Sequence, residues 1–391
     1  MAQQPPNAFQ NPEIIKRLLV TLGCLTAYIV GRAVPVPGIH PDVLLGILSG
    51  KSEASMHSVS IFALGVVPYL NAVIVLSLIR AGGWIKALAA ADAAGRRGVD
   101  RIARFLTAAF AVVMGYFLAA RVEGLAGPLS MFMAAGTFAA GSMAVLWLAE
   151  EITDDGVGSG VLLILFVEVS ARAWGGLSQL NSLLGGEDIS LLLAIGVVAL
   201  TALTIFTTVL LETAQRLTSV QYSKRVIGRK MMGGQQTTIP IKANPAGALG
   251  VIAASIVVSW PAPLLALSEY PVVYYPVFAA LIVALGWLYR RANIDPKELA
   301  GQIRNTGGFI HGIRSGEPML AHFRRQLSRL ALGTGLPITV VVLVPAIVLR
   351  AIGSPMAIDG TALFVAAAVT LDMMAQVQSR AMMLGRPGFS R

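Results

Sequence analysis

Ten long apolar segments constrain this chain more than any other feature of its 391 residues. A helix needs about 20 mostly apolar residues to cross the ~30 Å hydrocarbon core of a bilayer. Hydrophobic residues make up 55% of the chain and charged residues 13%, about half the charged share of a typical soluble domain. The predicted spans are 18–34, 61–80, 105–121, 132–149, 157–173, 190–211, 245–265, 272–289, 329–349 and 361–379. The sequence therefore predicts an all-α polytopic membrane protein with ten transmembrane helices, and it excludes a soluble enzyme.

The distribution of Lys and Arg predicts the orientation of these spans. With the N-terminus inside, the inside segments hold 25 of the 30 basic residues. These segments are 1–17, 80–104, 150–156, 212–244, 290–329 and 380–391. The positive-inside rule then places both termini in the cytoplasm. The net charge of +10 follows from this topology and does not require a nucleic-acid partner.

Two of the inside segments, 212–244 and 290–329, are unusually long and basic. Glycine pairs at 233–234 and 307–308, together with Pro240 and Pro318, predict turns rather than one continuous helix. Such loops can merely set topology and touch anionic lipid. Their length favours a docking surface, because connections between helices are usually short.

The number of spans suggests an internal repeat. Two sets of five spans have opposite orientations in the membrane, as in inverted-repeat transporters. Apolar pentapeptides at 63–67 and 248–252, each in the second span of its half, form a weak sequence echo. The predicted organisation is a cytoplasmic N-terminus at 1–17, an N-terminal half at 18–173, an external hinge loop at 174–189, a C-terminal half at 190–379 and a cytoplasmic C-terminus at 380–391.

The sequence carries little that suggests catalysis or a cofactor. Cys24 is the only cysteine, and the four histidines form no HExxH motif. A glycine run at 156–160 follows an acidic loop at 150–155, which would repel phosphate, so a helix start is the favoured interpretation. We therefore expect no enzyme activity, no metal and no cofactor, and any energy input must come from a partner or a gradient.

Two acidic residues, Glu168 and Asp372, fall within predicted spans. Ionisable groups in the membrane are costly and usually face a polar interior or pair with a neighbour. A site for a coupling ion, a wet vestibule and a helix–helix hydrogen bond all remain open for them. The absence of a deep basic partner favours the vestibule or the hydrogen bond.

Five strings in order along the chain resemble the SecY family of protein-conducting channels. They are Val34–Ile39, Ile61–Gly65 with Pro68-Tyr69, Val220–Arg225 with Gly228-Arg229, Gly307–Ile310 with Gly312–Arg314 and Gly316-Glu317, and Leu371-Asp372 with Ala375–Gln378. The resemblance implies ten helices in two inverted, pseudo-symmetric halves around a central pore. It also implies a location in the plasma membrane of a prokaryote.

The resemblance further implies that a ring of aliphatic side chains closes this pore. Position by position, the ring residues are Val66, Leu70, Val161, Leu165, Ile252 and Val365. Spans two and seven would form a lateral gate towards lipid, through which signal sequences and nascent membrane helices leave the pore. The chain would thus be a passive channel subunit of a protein translocase, with an unfolded secretory or membrane polypeptide as its substrate.

In this family the two basic loops dock the ribosome or the SecA motor ATPase. The residues implied here are Arg216, Lys224, Arg225, Arg229, Arg304 and Arg314. Basic side chains suit RNA phosphates, through a salt-dependent attraction, and they also suit an acidic patch on a motor. The resemblance also implies a small SecE-like membrane subunit and often a SecG-like one.

Several positions depart from the family pattern. The segment between Gly38 and Ile61, where the family carries its plug, is about ten residues short and has room for a short helix at 41–48. Ser159 replaces an asparagine, Gly250 replaces a proline, and Glu168 stands where a small residue is usual. Glu168 could therefore line the outer funnel, and the chain could be a specialised accessory SecY paralogue. A secondary transporter with inverted repeats is the alternative from a different class.

Overall fold

A computed structural model of the chain describes most of the predicted membrane segments and their connections. The described residues are 12–39, 59–81, 93–120, 127–171, 191–222, 225–227, 230–232, 236–244, 246–259, 270–305, 308–314, 316–351 and 360–384. The candidate plug segment, the predicted hinge loop at 174–189 and the C-terminus at 385–391 lie outside these ranges.

Every predicted span overlaps with a helix among the described residues, although α3 and α10 begin twelve residues before the predicted spans. These helices are α1 (Pro12–Gly31), α2 (Val67–Ala81), α3 (Ala93–Ala119), α4 (Pro128–Asp155), α5 (Gly160–Ala171), α6 (Leu191–Thr213), α7 (Ala248–Ser259), α8 (Pro271–Asn293), α10 (Glu317–Ala351) and α11 (Gly360–Leu384). Five helical segments of the described chain, within α3, α4, α6, α8 with its extension to Asn305, and α10, are individually long and apolar enough to cross a membrane. The prediction of a mostly helical membrane protein is confirmed.

The first two spans differ in their bounds from the prediction, and prolines explain part of the difference. α1 ends at Gly31, and the chain then extends through Pro35, because the residue before a proline avoids the helical conformation. Val36 N–H donates to Val59 O over 2.9 Å, and Ile61 N–H donates to Val34 O over 3.0 Å. Residues 61–66 form turns, and α2 begins only at Val67, with Pro68 in its first turn.

The chain divides into two compact units. The first contains Met1–Leu76, Ile85–Ala171 and Val369–Arg391. In it α4 packs against both α1 and α3. An apolar cluster at this packing includes Val36, Leu64, Ala119, Ala134 and Phe138. The second unit contains Ser77–Trp84 and Arg172–Ala368. In it α10 packs against α6 and α8, and α7 packs against α8.

The second unit also contains a small sheet that the sequence analysis did not predict. Its strands are β1 (Gln215–Tyr222), β4 (Gln236–Lys242) and β5 (Gly308–Phe309), in the order β4-β1-β5. β1 pairs antiparallel with β4, from Gln215 opposite Lys242 to Gln221 opposite Gln236. Between them, β2 (Arg225–Ile227) and β3 (Lys230–Met232) form a two-stranded antiparallel pair.

The pairing of β1 with β5 joins the two long basic loops. Gln221 of the first loop lies opposite Phe309 of the second. Beneath the sheet, the short helix α9 (Pro296–Asn305) and the start of α10 contribute to a buried apolar cluster. The cluster contains Val220, Ile303, Ile310, Met319 and Phe323. The two long basic loops therefore fold together as one small domain, which we call the β1–β4–β5 domain.

Candidate channel and docking sites

Four of the six implied ring residues lie in the first unit. Val66 is the last residue before α2, and Leu70 lies in the first turn of that helix. Leu70 N–H donates to Val66 O over 3.1 Å, so the pair has the i, i+4 relation that puts both side chains on one face. Val161 and Leu165 have the same spacing in α5. Val66, Leu70 and Leu165 are buried and Val161 is half-buried.

The other two ring residues lie in the second unit. Ile252 is in the second turn of α7, and Val365 is in the second turn of α11. Both side chains are buried. All six implied ring positions thus carry aliphatic side chains on, or directly before, the expected helices.

The buried carboxylate of Glu168 forms a junction inside the first unit. Glu168, on α5, is 8% exposed and accepts a hydrogen bond from the Tyr28 hydroxyl of α1 over 2.7 Å. The Tyr28 ring stacks on Phe62, with centroids 6.0 Å apart and planes 7° apart. The Arg32 guanidinium lies 5.8 Å from the centre of the same ring. Of the interpretations left open by the sequence, the structure supports the helix–helix hydrogen bond.

Glu168 also contacts the turn that precedes α2. Gly65 has φ +51°, and a Cβ added there would lie 1.9 Å from Glu168 Oε1. The Gly65 carbonyl accepts a hydrogen bond from the Ser142 hydroxyl of α4 over 3.1 Å. A glycine is required here by both the left-handed backbone and the close carboxylate. Helices α1, α4 and α5 thus hold the start of α2 through polar contacts.

A second buried carboxylate anchors the turn before α7. Glu212, at the end of α6, is 7% exposed and accepts a hydrogen bond from the Asn244 side-chain amide over 2.5 Å. The same amide nitrogen donates to the Gly247 carbonyl over 3.1 Å. Gly247 has φ +57° and directly precedes α7. Sequence analysis missed Asn244 and Tyr28, because neither stands in a motif.

The structure corrects the alignment implied by the two pentapeptides. Gly65 is in the turn before α2, whereas Gly250 lies inside α7. Gly247, which directly precedes α7, shares the left-handed backbone conformation of Gly65, which lies two residues before α2. The glycines of the two pentapeptides thus occupy different structural positions.

The glycine run at 156–160 forms the tight turn from α4 into α5. The acidic loop predicted at 150–155 is wrong, because these residues are the last turns of α4. Val157 N–H donates to the Thr21 hydroxyl, and Gly160 N–H donates to the Thr153 hydroxyl, each over 2.9 Å. These two amides are thus occupied, and the run is a helix start as favoured. Asp372 is half-buried on α11.

The implied docking residues fall in or beside the β1–β4–β5 domain. Arg216 lies on β1, Arg304 on α9, and Arg314 directly after the bridge between Ile310 and Ile313. All three side chains are exposed. Arg225 lies on β2, and its side chain is outside the described part, as are residues Lys224 and Arg229.

Comparison with known proteins decides the family. A sequence model of the SecY family matches residues 60–374. The protein translocase subunit SecY of Thermus thermophilus is 31% identical over 421 aligned positions, which cover 98% of this chain and 96% of the relative. This chain belongs to the SecY family. It is the channel subunit of a protein translocase and a multi-pass membrane protein, like its bacterial SecY relatives, and not a secondary transporter.

Solved structures show the same SecY fold. One is a SecY protein whose plug domain stabilises the closed state of the channel and maintains a membrane seal; it superimposes with a TM-score of 0.72, at 18% identity, over 99% of both chains. Another is the channel in a canine ribosome–channel complex from the endoplasmic reticulum, with a TM-score of 0.64, at 18% identity, over 99% of both chains. At this identity the likeness establishes the fold.

Proposed function

We propose that this chain is a passive protein-conducting pore closed by Val66, Leu70, Val161, Leu165, Ile252 and Val365, with a lateral gate between α2 and α7. The full-length match to a SecY translocase subunit carries this proposal. The aliphatic character of all six positions, five of them buried, supports it. The halves at 18–173 and 190–379 would be the two sides of the gate.

An aliphatic ring suits a channel that must pass many sequences without leaking ions. A narrow apolar constriction gates by dewetting, so it resists ion flow when no polypeptide occupies it. Aliphatic side chains form no directional bonds and so do not select among passing residues. At the gate, a segment's own hydrophobicity decides its fate, because a charged residue at a helix centre costs about 2.5–3.5 kcal/mol.

We further propose that the β1–β4–β5 domain is the surface for the partner that drives transport. The fold is shared with a channel that was solved in complex with a ribosome. The exposed positions of Arg216, Arg304 and Arg314 support contact with RNA phosphates or with an acidic patch on a SecA-like motor. Nucleotide chemistry would then belong to that partner, and this chain would not be an enzyme. SecE-like and SecG-like subunits would complete the complex.

Complementation tests the proposed function. The resident SecY of a bacterial host is depleted, this chain is expressed, and export of a secreted reporter is followed. Rescue by the chain, and its loss in Arg314→Glu, is the expected result. Arg101→Glu is the matched control, because Arg101 is also exposed but lies on α3 of the first unit and is not part of the β1–β4–β5 domain. Stable insertion of the chain without rescue would contradict the proposed general role in export. Equal rescue by Arg314→Glu and Arg101→Glu would contradict the docking role of Arg314.

The accessory SecY paralogue is the second candidate function. The observation that favours it is Glu168, a buried carboxylate at a position where the family usually has a small residue. A paralogue built for few clients would be inserted stably but would export only its own substrates. Comparison of several reporters in the same depletion strain separates this outcome from general export.

A further inference from the structure

An apolar groove lies along the surface of the second unit between α8 and α10. Its volume is about 510 Å³, and its lining includes Ala280, Ala284 and Trp287 of α8 and Leu332 and Leu336 of α10. Leu332 is 49% exposed and Leu336 is 66% exposed. On a membrane helix such side chains face lipid, so the groove opens towards the acyl chains.

Two contacts define how the helices run beside the groove. A Cβ added at Gly335 would lie 3.4 Å from Val283 Cγ2. Two turns further along α8, the Arg290 Nη2 donates to the Ser328 hydroxyl over 3.3 Å. The residue numbers rise on one helix as they fall on the other, so the two helices are antiparallel and the groove ends near Arg290.

Arginines surround that end of the groove. The Arg291 guanidinium lies 5.5 Å from the centre of the Trp287 ring, which itself lines the groove. Arg329 and Arg325 are exposed and stand three and seven residues before Leu332, which places them on the same face of α10. Buried Arg290, 4% exposed, adds positive charge, and its Nε has no partner within the described residues.

The nearest carboxylate along the chain is already engaged. Asp295 Oδ1 accepts the backbone N–H of Lys297 over 2.9 Å, as the cap of α9. The predicted topology puts the arginines at the cytoplasmic face, where the leaflet carries anionic lipids and where tryptophan marks the interface.

We propose that an anionic phospholipid occupies this groove as a specific ligand. One acyl chain lies against the alanines of α8 and the leucines of α10, and the phosphate lies among Arg291, Arg329 and Arg325. A phosphate satisfies several guanidinium donors at once, which suits arginine more than lysine. An apolar partner helix in the same place would cover these charges without neutralising them, so charge complementarity favours the lipid.

The test uses the assembled translocase complex in nanodiscs of equal phosphatidylglycerol and phosphatidylcholine. The lipid that remains bound after extraction into mild detergent is measured by native mass spectrometry. We expect phosphatidylglycerol to be retained over phosphatidylcholine. In Arg291→Gln/Arg329→Gln its affinity should fall about 25-fold, roughly fivefold for each arginine near an anionic headgroup.

Two further variants make the result specific. Ala284→Leu fills the groove without changing charge and should also displace the lipid. Arg101→Gln is the matched control, because Arg101 is an exposed arginine of α3 in the first unit and should leave retention unchanged. The proposal would be overturned by equal retention of both lipids or by unchanged retention in both test variants. It would also be overturned if a cross-linker placed at Leu336 captured a polypeptide in place of lipid.

Discussion

The turns before α2 and before α7 are both held in place by a buried carboxylate, but through different contacts. Each contains a glycine with positive φ, Gly65 at +51° and Gly247 at +57°. Before α2, Glu168 packs directly against the glycine and is held by Tyr28. Before α7, Glu212 acts through Asn244, whose amide bonds both the carboxylate and the turn.

This difference indicates which turn tolerates change. The turn before α2 depends on close packing between Gly65 and the Glu168 side chain of α5, so a larger residue at position 65 would overlap with that side chain. The second depends on hydrogen bonds of a single amide, so loss of that amide matters most. These two turns precede α2 and α7, the helices of the proposed gate.

Substitution of the glycines should give the largest effect. We expect Gly65→Ala to lower the free energy of unfolding by about 4 kcal/mol, because backbone strain adds to overlap with Glu168. Gly247→Ala should cost about 1 kcal/mol from backbone strain. Thermal unfolding of the purified complex measures both, and Glu168→Ala should restore part of the loss in Gly65→Ala only. Equal costs at the two glycines would contradict the comparison.

Removal of the Asn244 amide should rank second. Asn244→Ala removes donors to Glu212 and to the Gly247 carbonyl and should cost about 2.5 kcal/mol, because one of the two acceptors is a buried carboxylate. Asn71→Ala is the control, since the Asn71 amide donates to two uncharged acceptors, the Val67 carbonyl and the Met114 sulfur. A loss in Asn244→Ala no greater than in this control would show that the amide does not anchor the turn.

Removal of the Tyr28 hydroxyl should have a smaller effect on stability. Tyr28→Phe keeps the ring stacked on Phe62 and loses the bond to Glu168, at about 1.5 kcal/mol. A double-mutant cycle with Glu168→Gln should show coupling between the two positions, whereas Tyr116→Phe, on the exposed face of α3, should show none. Additive losses in the cycle would mean that the hydrogen bond contributes nothing.

Substitutions in the proposed ring should show their effect in ion leak. Val66 is the last residue of the turn before α2, and Ile252 lies in the second turn of α7. Val66→Asn and Ile252→Asn should each raise ion leak through the resting complex in proteoliposomes, because a polar side chain favours wetting of the constriction. Val251→Asn is the control, since Val251 lines a pocket with Gly286 of α8. Equal leak in all three would place the ring elsewhere.

The sequence predicted the helices well and the sheet poorly. The hydrophobicity of about 20 consecutive residues is enough to predict each span, so all ten overlap with helices among the described residues. The strand β1 has a weaker signal in the sequence. Thr218 and Val220 are buried while Leu217 and Ser219 are exposed, which is the alternation of a strand. Its pairing with β4 and β5 is what identifies this short segment as a strand. The two basic loops therefore read as separate segments until the structure joins them.

The sequence by itself determined the membrane class, the expected orientation and the resemblance to SecY, because hydropathy, charge and short strings are local properties. The tertiary structure alone decided the role of Glu168, whose partner Tyr28 stands 140 residues away. It also replaced Gly250 by Gly247 as the counterpart of Gly65, since backbone conformation at a glycine depends on what packs around it. Contacts between distant segments follow from packing, and no local pattern in the chain records them.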